Sequence, residues 1–368
     1  MKKTTLCFAI LLLMSSAFAQ MDLPPSGGNP RATITEEVGI TSITIKYSRP
    51  DVNKREGKIY GEATTFPVSY GFTTLSLVTN KNTQPWRAGA NENTIITFEH
   101  DVKVEGKDLK AGTYGLSMAV WPDKATIIFS NQSGSWGSFY YDEKNDALRV
   151  NVKSVMLDKS VEWLKYEFIE HGEQYCVIAL QWEKFSVPFK IDVDVDNIVI
   201  AKLRDDVTGQ KGFNQLNLVA AVNYCLNKNI NLEEALAWSQ RAAGLKSFGT
   251  LNTLSIAYTK NNKIPQADST LNEALIFANP NQYMGSGRSM ITAKRLDRAF
   301  EIFNANQKRN GDVYAVNAGF MSYYSAKADF KKALEYANKA LALAPNDATK
   351  AIINGNITKL KEGKDINQ

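Results

Sequence analysis

The sequence predicts a two-domain chain: an antiparallel β-sandwich or barrel over residues 31–195, then an α-solenoid of helical hairpins over residues 213–368. A connecting helix and linker fill residues 196–212. Three observations predict this. Apolar and polar residues alternate with period two through the first half, with turn residues roughly every eight to twelve positions. After Asp196 the period changes to that of helices. In the last third, Ala235, Ala267, Ala299 and Ala333 recur at intervals of 32, 32 and 34 residues. A second alanine follows seven positions later at Ala242, Ala274 and Ala340, and Asn306 breaks that row. Such a period marks stacked helical hairpins, with small residues where two helices cross closely.

Residues 1–19 read as a signal peptide. Lys2 and Lys3 give a positive start, and the apolar run Leu6 to Met14 is too short for a stable anchor. Ala17-Phe18-Ala19 offers small residues for cleavage before Gln20. Cys7 lies inside the apolar run rather than after the cleavage site, which argues against a lipoprotein. The expected mature protein is exported, periplasmic or secreted, with no transmembrane segment after cleavage. Residues 20–30 are a flexible Pro/Gly-rich lead-in.

Strands are expected at Ile43 to Tyr47, Ile96 to Phe98, Thr113 to Val120, Ala125 to Phe129, Leu148 to Val155, Glu162 to Ile169, Tyr175 to Trp182 and Val187 to Val195. Val102 and Val104 lead into a hairpin turn at Glu105-Gly106-Lys107. Their Thr, Val, Ile and aromatic content fits a half-buried pleated surface. A helix is expected over Ile198 to Asp206, then a break at Thr208 to Gly212. The later helices reverse at Asn227-Lys228-Asn229, Asn261-Asn262-Lys263, Asn279-Pro280-Asn281 and Pro345-Asn346-Asp347.

The last repeat reads Tyr323-Tyr324, Ala333-Leu334-Glu335-Tyr336, then Ala340 to Pro345. The second supplies Leu254, Tyr258, Ala267, Ala274 and Pro280. The third keeps Gly287, Ala299 and Phe303, and the first keeps Ala235 and Ala242 but has Leu226 in place of the tyrosine. These units resemble tetratricopeptide repeats, closely at the C-terminus and loosely upstream. The resemblance implies a concave surface that docks a peptide or protein, here an envelope partner. A short array also serves as a rigid spacer or packs on its neighbouring domain.

In the first half, Tyr47-Ser48-Arg49-Pro50, Lys58-Ile59-Tyr60-Gly61, Trp86-Arg87-Ala88-Gly89-Ala90-Asn91-Glu92, Leu109 to Tyr114 and Trp136-Gly137 stand out. Residues 31–195 resemble the DUF2911 family of exported Bacteroidetes proteins on these phrases. The family carries no established activity, so the resemblance implies fold and export rather than chemistry. An extra loop from Phe72 to Gln84 separates Pro67 to Gly71 from Trp86-Arg87 and departs from the family pattern.

The candidate ligand site is Arg49, Trp86, Arg87, Asn91 and Glu92. An indole beside two guanidiniums and an amide suits a glycan or small anion. The same residues also make structural sense: Arg87 pairing Glu92 at a strand end, Gly89 in a left-handed turn and Trp86 capping the core. No metal, cofactor or catalytic group is expected. His100 and His171 are isolated from each other in sequence, and Gly285-Ser286-Gly287, at an expected helix junction, lacks a hydrolase strand. Asp192, Asp194 and Asp196 lack the glycine and glutamate of a calcium loop and read as the solvated face of a strand. The net charge of +5 falls to +3 with the signal removed, 41 basic against 38 acidic residues, and no basic aromatic patch suggests nucleic acid. Cys176 and Cys225 are expected as separate buried thiols. The combined expectation is a non-catalytic envelope scaffold; the alternative is an envelope enzyme or a glycan- or anion-binding module at the Trp86 site.

Overall fold

The computed structural model describes residues 28–62, 65–74 and 83–367. The expected signal peptide, most of the lead-in and most of the loop Phe72 to Gln84 lie outside the described residues. The chain divides between Lys202 and Leu203 into two compact units.

The first unit is built on antiparallel sheets. Strands β1 (Arg31–Val38), β2 (Thr41–Ser48), β5 (Thr94–Phe98), β8 (Gly112–Val120), β9 (Lys124–Ser130) and β10 (Asp146–Lys153) form one sheet in that spatial order. A second sheet runs β11 (Val155–His171), β12 (Tyr175–Val193), β6 (Val102–Val104) and β7 (Lys107–Leu109). A two-residue parallel pair joins β3 (Tyr60–Gly61) to β4 (Val68–Ser69). Period-two alternation sets the register. Ile43 faces Phe98 and Ile45 faces Ile96, all four buried. Their side chains join Phe129, Trp182 and Phe189 in one core shared by both sheets.

Three sequence expectations change. Tyr175 to Trp182 and Val187 to Val195 form a single strand, β12, whose pairing shifts at Glu183, a left-handed residue with φ 53°. Leu148 to Val155 is divided at Ser154, whose hydroxyl donates to the Pro122 carbonyl at 2.9 Å. The acidic strand ends at Val193, and Asp194 opens the helix instead. Its carbonyl accepts from the Ile198 amide at 3.1 Å and its carboxylate from the Asn197 side chain at 2.7 Å. Asp196 therefore sits in a helical first turn, where a negative charge complements the helix dipole.

That helix, α1 (Val195–Thr208), is followed among the described residues by a 3-10 turn (Gln210–Phe213) and nine further helices: α2 (Gln215–Lys228), α3 (Leu232–Ala242), α4 (Phe248–Lys260), α5 (Ile264–Ile276), α6 (Pro280–Thr292), α7 (Leu296–Asn310), α8 (Tyr314–Ala326), α9 (Phe330–Ala342) and α10 (Asp347–Lys361). The turn residues act as caps. Asn229 and Asn262 adopt left-handed conformations after α2 and α4. Ser247 with Thr250, and Asn279 with Gln282, close capping boxes at the starts of α4 and α6, and Pro280 takes the first turn of α6.

Helices pair as α2/α3, α4/α5, α6/α7 and α8/α9, with α10 against α9. Ala235, Ala242, Ala267, Ala274, Ala299, Ala333 and Ala340 are all buried. Asn306, which interrupts the row, is buried too, and its amide donates to the Pro280 carbonyl at 3.1 Å. Phe303 fills the space between α6 and α8. A Cβ on Gly287 or Gly319 would lie 2.3 Å and 2.6 Å from its ring, so both positions require glycine. Gly285-Ser286-Gly287 thus lies inside α6, not at a helix junction.

Cys176 and Cys225 are free, buried thiols, each in its own unit. Burial pushes Cys176 up to about 12 and Cys225 up to about 11. At the alanine crossings extra volume has nowhere to go. Ala333→Leu is expected to lower stability by about 1–3 kcal/mol by denaturant titration. A loss within experimental error would contradict the close crossing.

Candidate functional site

The segment Trp86–Glu92 folds on itself because two of its residues take left-handed conformations, Ala88 (φ 52°) and Asn91 (φ 55°). The Trp86 backbone bridges to Met118 through paired hydrogen bonds of 2.9 and 2.8 Å. Its indole N–H donates to the Gly89 carbonyl at 3.2 Å. The ring stacks on Trp182, with centroids 6.1 Å apart and planes at 21°, and meets Tyr60 edge-on. The Ala88 carbonyl accepts from Tyr166 Oη at 2.8 Å and Thr94 Oγ1 at 3.1 Å, which pins the turn to both sheets. Gly89 is not left-handed. It is needed because a Cβ there would come within 2.7 Å of Thr94 Oγ1 and 3.2 Å of the Ser48 carbonyl.

Arg87 donates to the Asn91 carbonyl and lies over the Phe139 ring, 4.8 Å from its centre. Gly137, with φ 58°, packs flat against the guanidinium, where a Cβ would approach Cζ to 2.4 Å. Burial holds the Arg87 pKa below its ordinary value. No carboxylate among the described residues pairs with it. Glu92, expected as its partner, instead forms an ion pair with Arg31 and accepts from Ser48 Oγ at 3.1 Å. The hydrogen bond from Arg31 is the main reason its carboxyl sits below the usual range. Arg49 points elsewhere, donating to the Leu164 carbonyl at 2.8 Å, and the Asn91 side chain accepts from Asn29 at 3.1 Å.

Of the five sequence-selected residues, Trp86 and Arg87 therefore share a cleft, while Arg49 bonds the Leu164 carbonyl and the side chains of Asn91 and Glu92 bond those of Asn29, Arg31 and Ser48. The cleft is about 210 Å³ and is also lined by Phe66, Ser69, Thr73 and Ser138. It juxtaposes an indole, a guanidinium and hydroxyl-bearing side chains.

The helical unit carries a second recess, a groove of about 400 Å³ between α4 and α6. Asn252 and Ile256 of α4, Leu271 of α5, and Gln282, Ser286 and Met290 of α6 line it, and no lining residue is charged. Helix backbones approach closely at α2–α4 and α6–α8, but not at α4–α6. The second and third hairpins share an apolar core of Leu251, Leu271, Leu275, Tyr283 and Ile302, and arginines bridge them as well: Arg295 forks onto Asp268 at 2.9 and 2.5 Å, and Arg309 donates to the Leu275 and Ile276 carbonyls at 3.1 and 2.8 Å. The sequence did not mark this groove. Its one visible sign is Gly285, a helix-interior glycine that packing does not require.

His100 faces Thr41, its Nδ1 3.1 Å from the hydroxyl, and His171 closes β11. Neither enters the cleft or the groove.

Residues 29–191 match the family described as "Protein of unknown function (DUF2911)". This match lies within the first unit. Solved structures are similar over part of the chain at low identity. One is a chain of the APC/C hetero-tetramer Cut9–Hcn1, with 14% identity, TM-score 0.32, and coverage of 45% of this chain and 33% of that one. This chain thus spans about a third of that length. A tetratricopeptide repeat protein from Parabacteroides merdae shares 16% identity over 45% of this chain and 68% of that one, TM-score 0.32. A thermophilic TPR protein from Thermus thermophilus shares 16% over 45% and 91%, TM-score 0.32. No curated protein matches the chain.

Proposed function

We propose that the protein is a non-catalytic binding scaffold of the cell envelope, exported after loss of residues 1–19, whose helical unit docks a partner polypeptide. The observation that carries this reading is the α4–α6 groove, an uncharged recess of about 400 Å³ with Ile256 exposed on its wall. Its size falls within the roughly 300–1,000 Å³ usual for binding recesses. The buried alanines around it supply a rigid frame, so a partner would meet a preformed surface. A charge placed on the groove wall would have no counter-ion and would oppose docking of an apolar side chain. Ile256→Glu in the full chain is expected to reduce capture of its partners from envelope extract about tenfold or more, whereas Arg87→Gln leaves the same partners bound. Identical partner sets for wild type and Ile256→Glu would contradict docking at this groove. Export is checked separately: the intact mass of protein from its native cells is expected to begin at Gln20, and a mass that retains Met1 would contradict it.

For the first unit, the half-buried Arg87 supports a second reading, a binding module for a glycan or small anion rather than an envelope enzyme. A guanidinium withdrawn from water without a carboxylate partner gains from an anion that enters the Trp86 cleft. Glucuronate is expected to bind about tenfold tighter than glucose by calorimetry, and Arg87→Gln should erase the difference. Equal affinities for the two sugars would remove this reading.

A further inference from the structure

We propose that the α4–α6 groove receives a tyrosine side chain of the partner polypeptide, with Ser286 as the group that hydrogen-bonds its phenol. This rests on the docking reading above and adds the chemistry of the docked residue.

The hydroxyls around the groove identify Ser286. Ser255 Oγ donates to the Ala267 carbonyl at 2.8 Å, Thr259 Oγ1 to the Ser255 carbonyl at 3.0 Å and Ser289 Oγ to the Gly285 carbonyl at 3.1 Å. Ser286 is 7% exposed, and its hydroxyl has no hydrogen-bond partner among the described residues. Buried polar groups are nearly always paired, and a mid-helix serine commonly bonds the carbonyl one turn back. One χ1 step between staggered positions re-aims such a hydroxyl with little strain.

Gly285 is the second observation. A Cβ at Gly285 would meet nothing within 4 Å, in contrast to Gly287, which Phe303 demands. Glycine in a helix interior is destabilising relative to alanine, and exposed Gly285 lines the groove, so no side chain of α6 fills the groove beside Ser286.

The lining selects the occupant. Ile256, Leu271 and Met290 favour an apolar body, and a methionine sulfur packs well against an aromatic ring. With no charged residue in the lining, a charged side chain would be desolvated without compensation. An aliphatic side chain would leave Ser286 unpaired. An indole can only donate, whereas a phenol both donates and accepts, as the serine hydroxyl does.

The test uses the full chain with labelled methionine and isoleucine methyl groups, titrated with p-cresol, toluene and indole. The Met290 and Ile256 signals are expected to shift, with p-cresol binding about fivefold tighter than toluene, the worth of one net hydrogen bond, and tighter than indole. Ser286→Ala should reduce p-cresol to the affinity of toluene. Gly285→Leu should abolish both while the helical circular-dichroism signal is retained. Equal binding of p-cresol and toluene to wild type, a preference that survives in Ser286→Ala, tighter binding of indole, or the absence of methyl shifts would each overturn the proposal. If those results came with partner capture that still depended on Ile256, the tyrosine assignment alone would fall; if capture were also insensitive to Ile256, the docking reading would fall with it.

Discussion

Close approach of paired helices, with a single methyl group at each crossing, is the constraint on which the second unit depends. Every alanine of the repeating row is buried, and the one departure, Asn306, is accommodated because its amide finds the Pro280 carbonyl. A larger apolar residue there would have no room, and an unpaired polar one would be desolvated without compensation. Phe303 shows the same rule with the sizes exchanged, one large ring seated against two glycines. Where this packing is continuous, at α6–α8, the repeats close on each other. Between the second and third hairpins, Leu251, Leu271, Leu275, Tyr283 and Ile302 share an apolar core, arginines contact Asp268 and the end of α5, and a groove remains between α4 and α6. The candidate binding surface thus lies where the α4 and α6 backbones stay apart although their hairpins share a core.

The first unit is organised by a different device. Two left-handed residues, Ala88 and Asn91, curl the segment that follows Trp86, and Tyr166 and Thr94 hold the curl through the Ala88 carbonyl. The curl presents an indole and a guanidinium on one side and commits Asn91 and Glu92 to backbone and strand contacts. Gly137 packs against the guanidinium and Phe139 lies under it, and no carboxylate among the described residues pairs with it.

Much of the fold was legible because burial imposes periodicity. Ile43, Ile45, Ile96 and Phe98 announce their strands, and the alanine spacing announces the hairpins. Strand limits were less so: nothing local says that Tyr175 to Val193 continues through a bulge at Glu183, because continuity is decided by pairing with β11 and β6. At the site, Trp86 and Arg87 were visible as residue types, but the partner of Glu92 was not. Arg31 lies 61 positions away and reaches it only because β1 pairs with the end of β2. The groove was invisible for the same reason. Gly285-Ser286-Gly287 stands out in sequence only as a hydrolase-like string, and its proximity to Ile256 follows from the stacking of the second hairpin on the third.

Native-state hydrogen exchange across residues 215–361 tests the packed stack most directly. Amides flanking Ala235, Ala267, Ala299 and Ala333 are predicted to exchange only through global opening of the helical unit, at a common free energy, as expected for the best-packed part of a structure. If any of these four segments exchanged as fast as the turn at Asn261 to Lys263, the alanine crossings would not be closed, and the preformed groove between α4 and α6 would lose its frame.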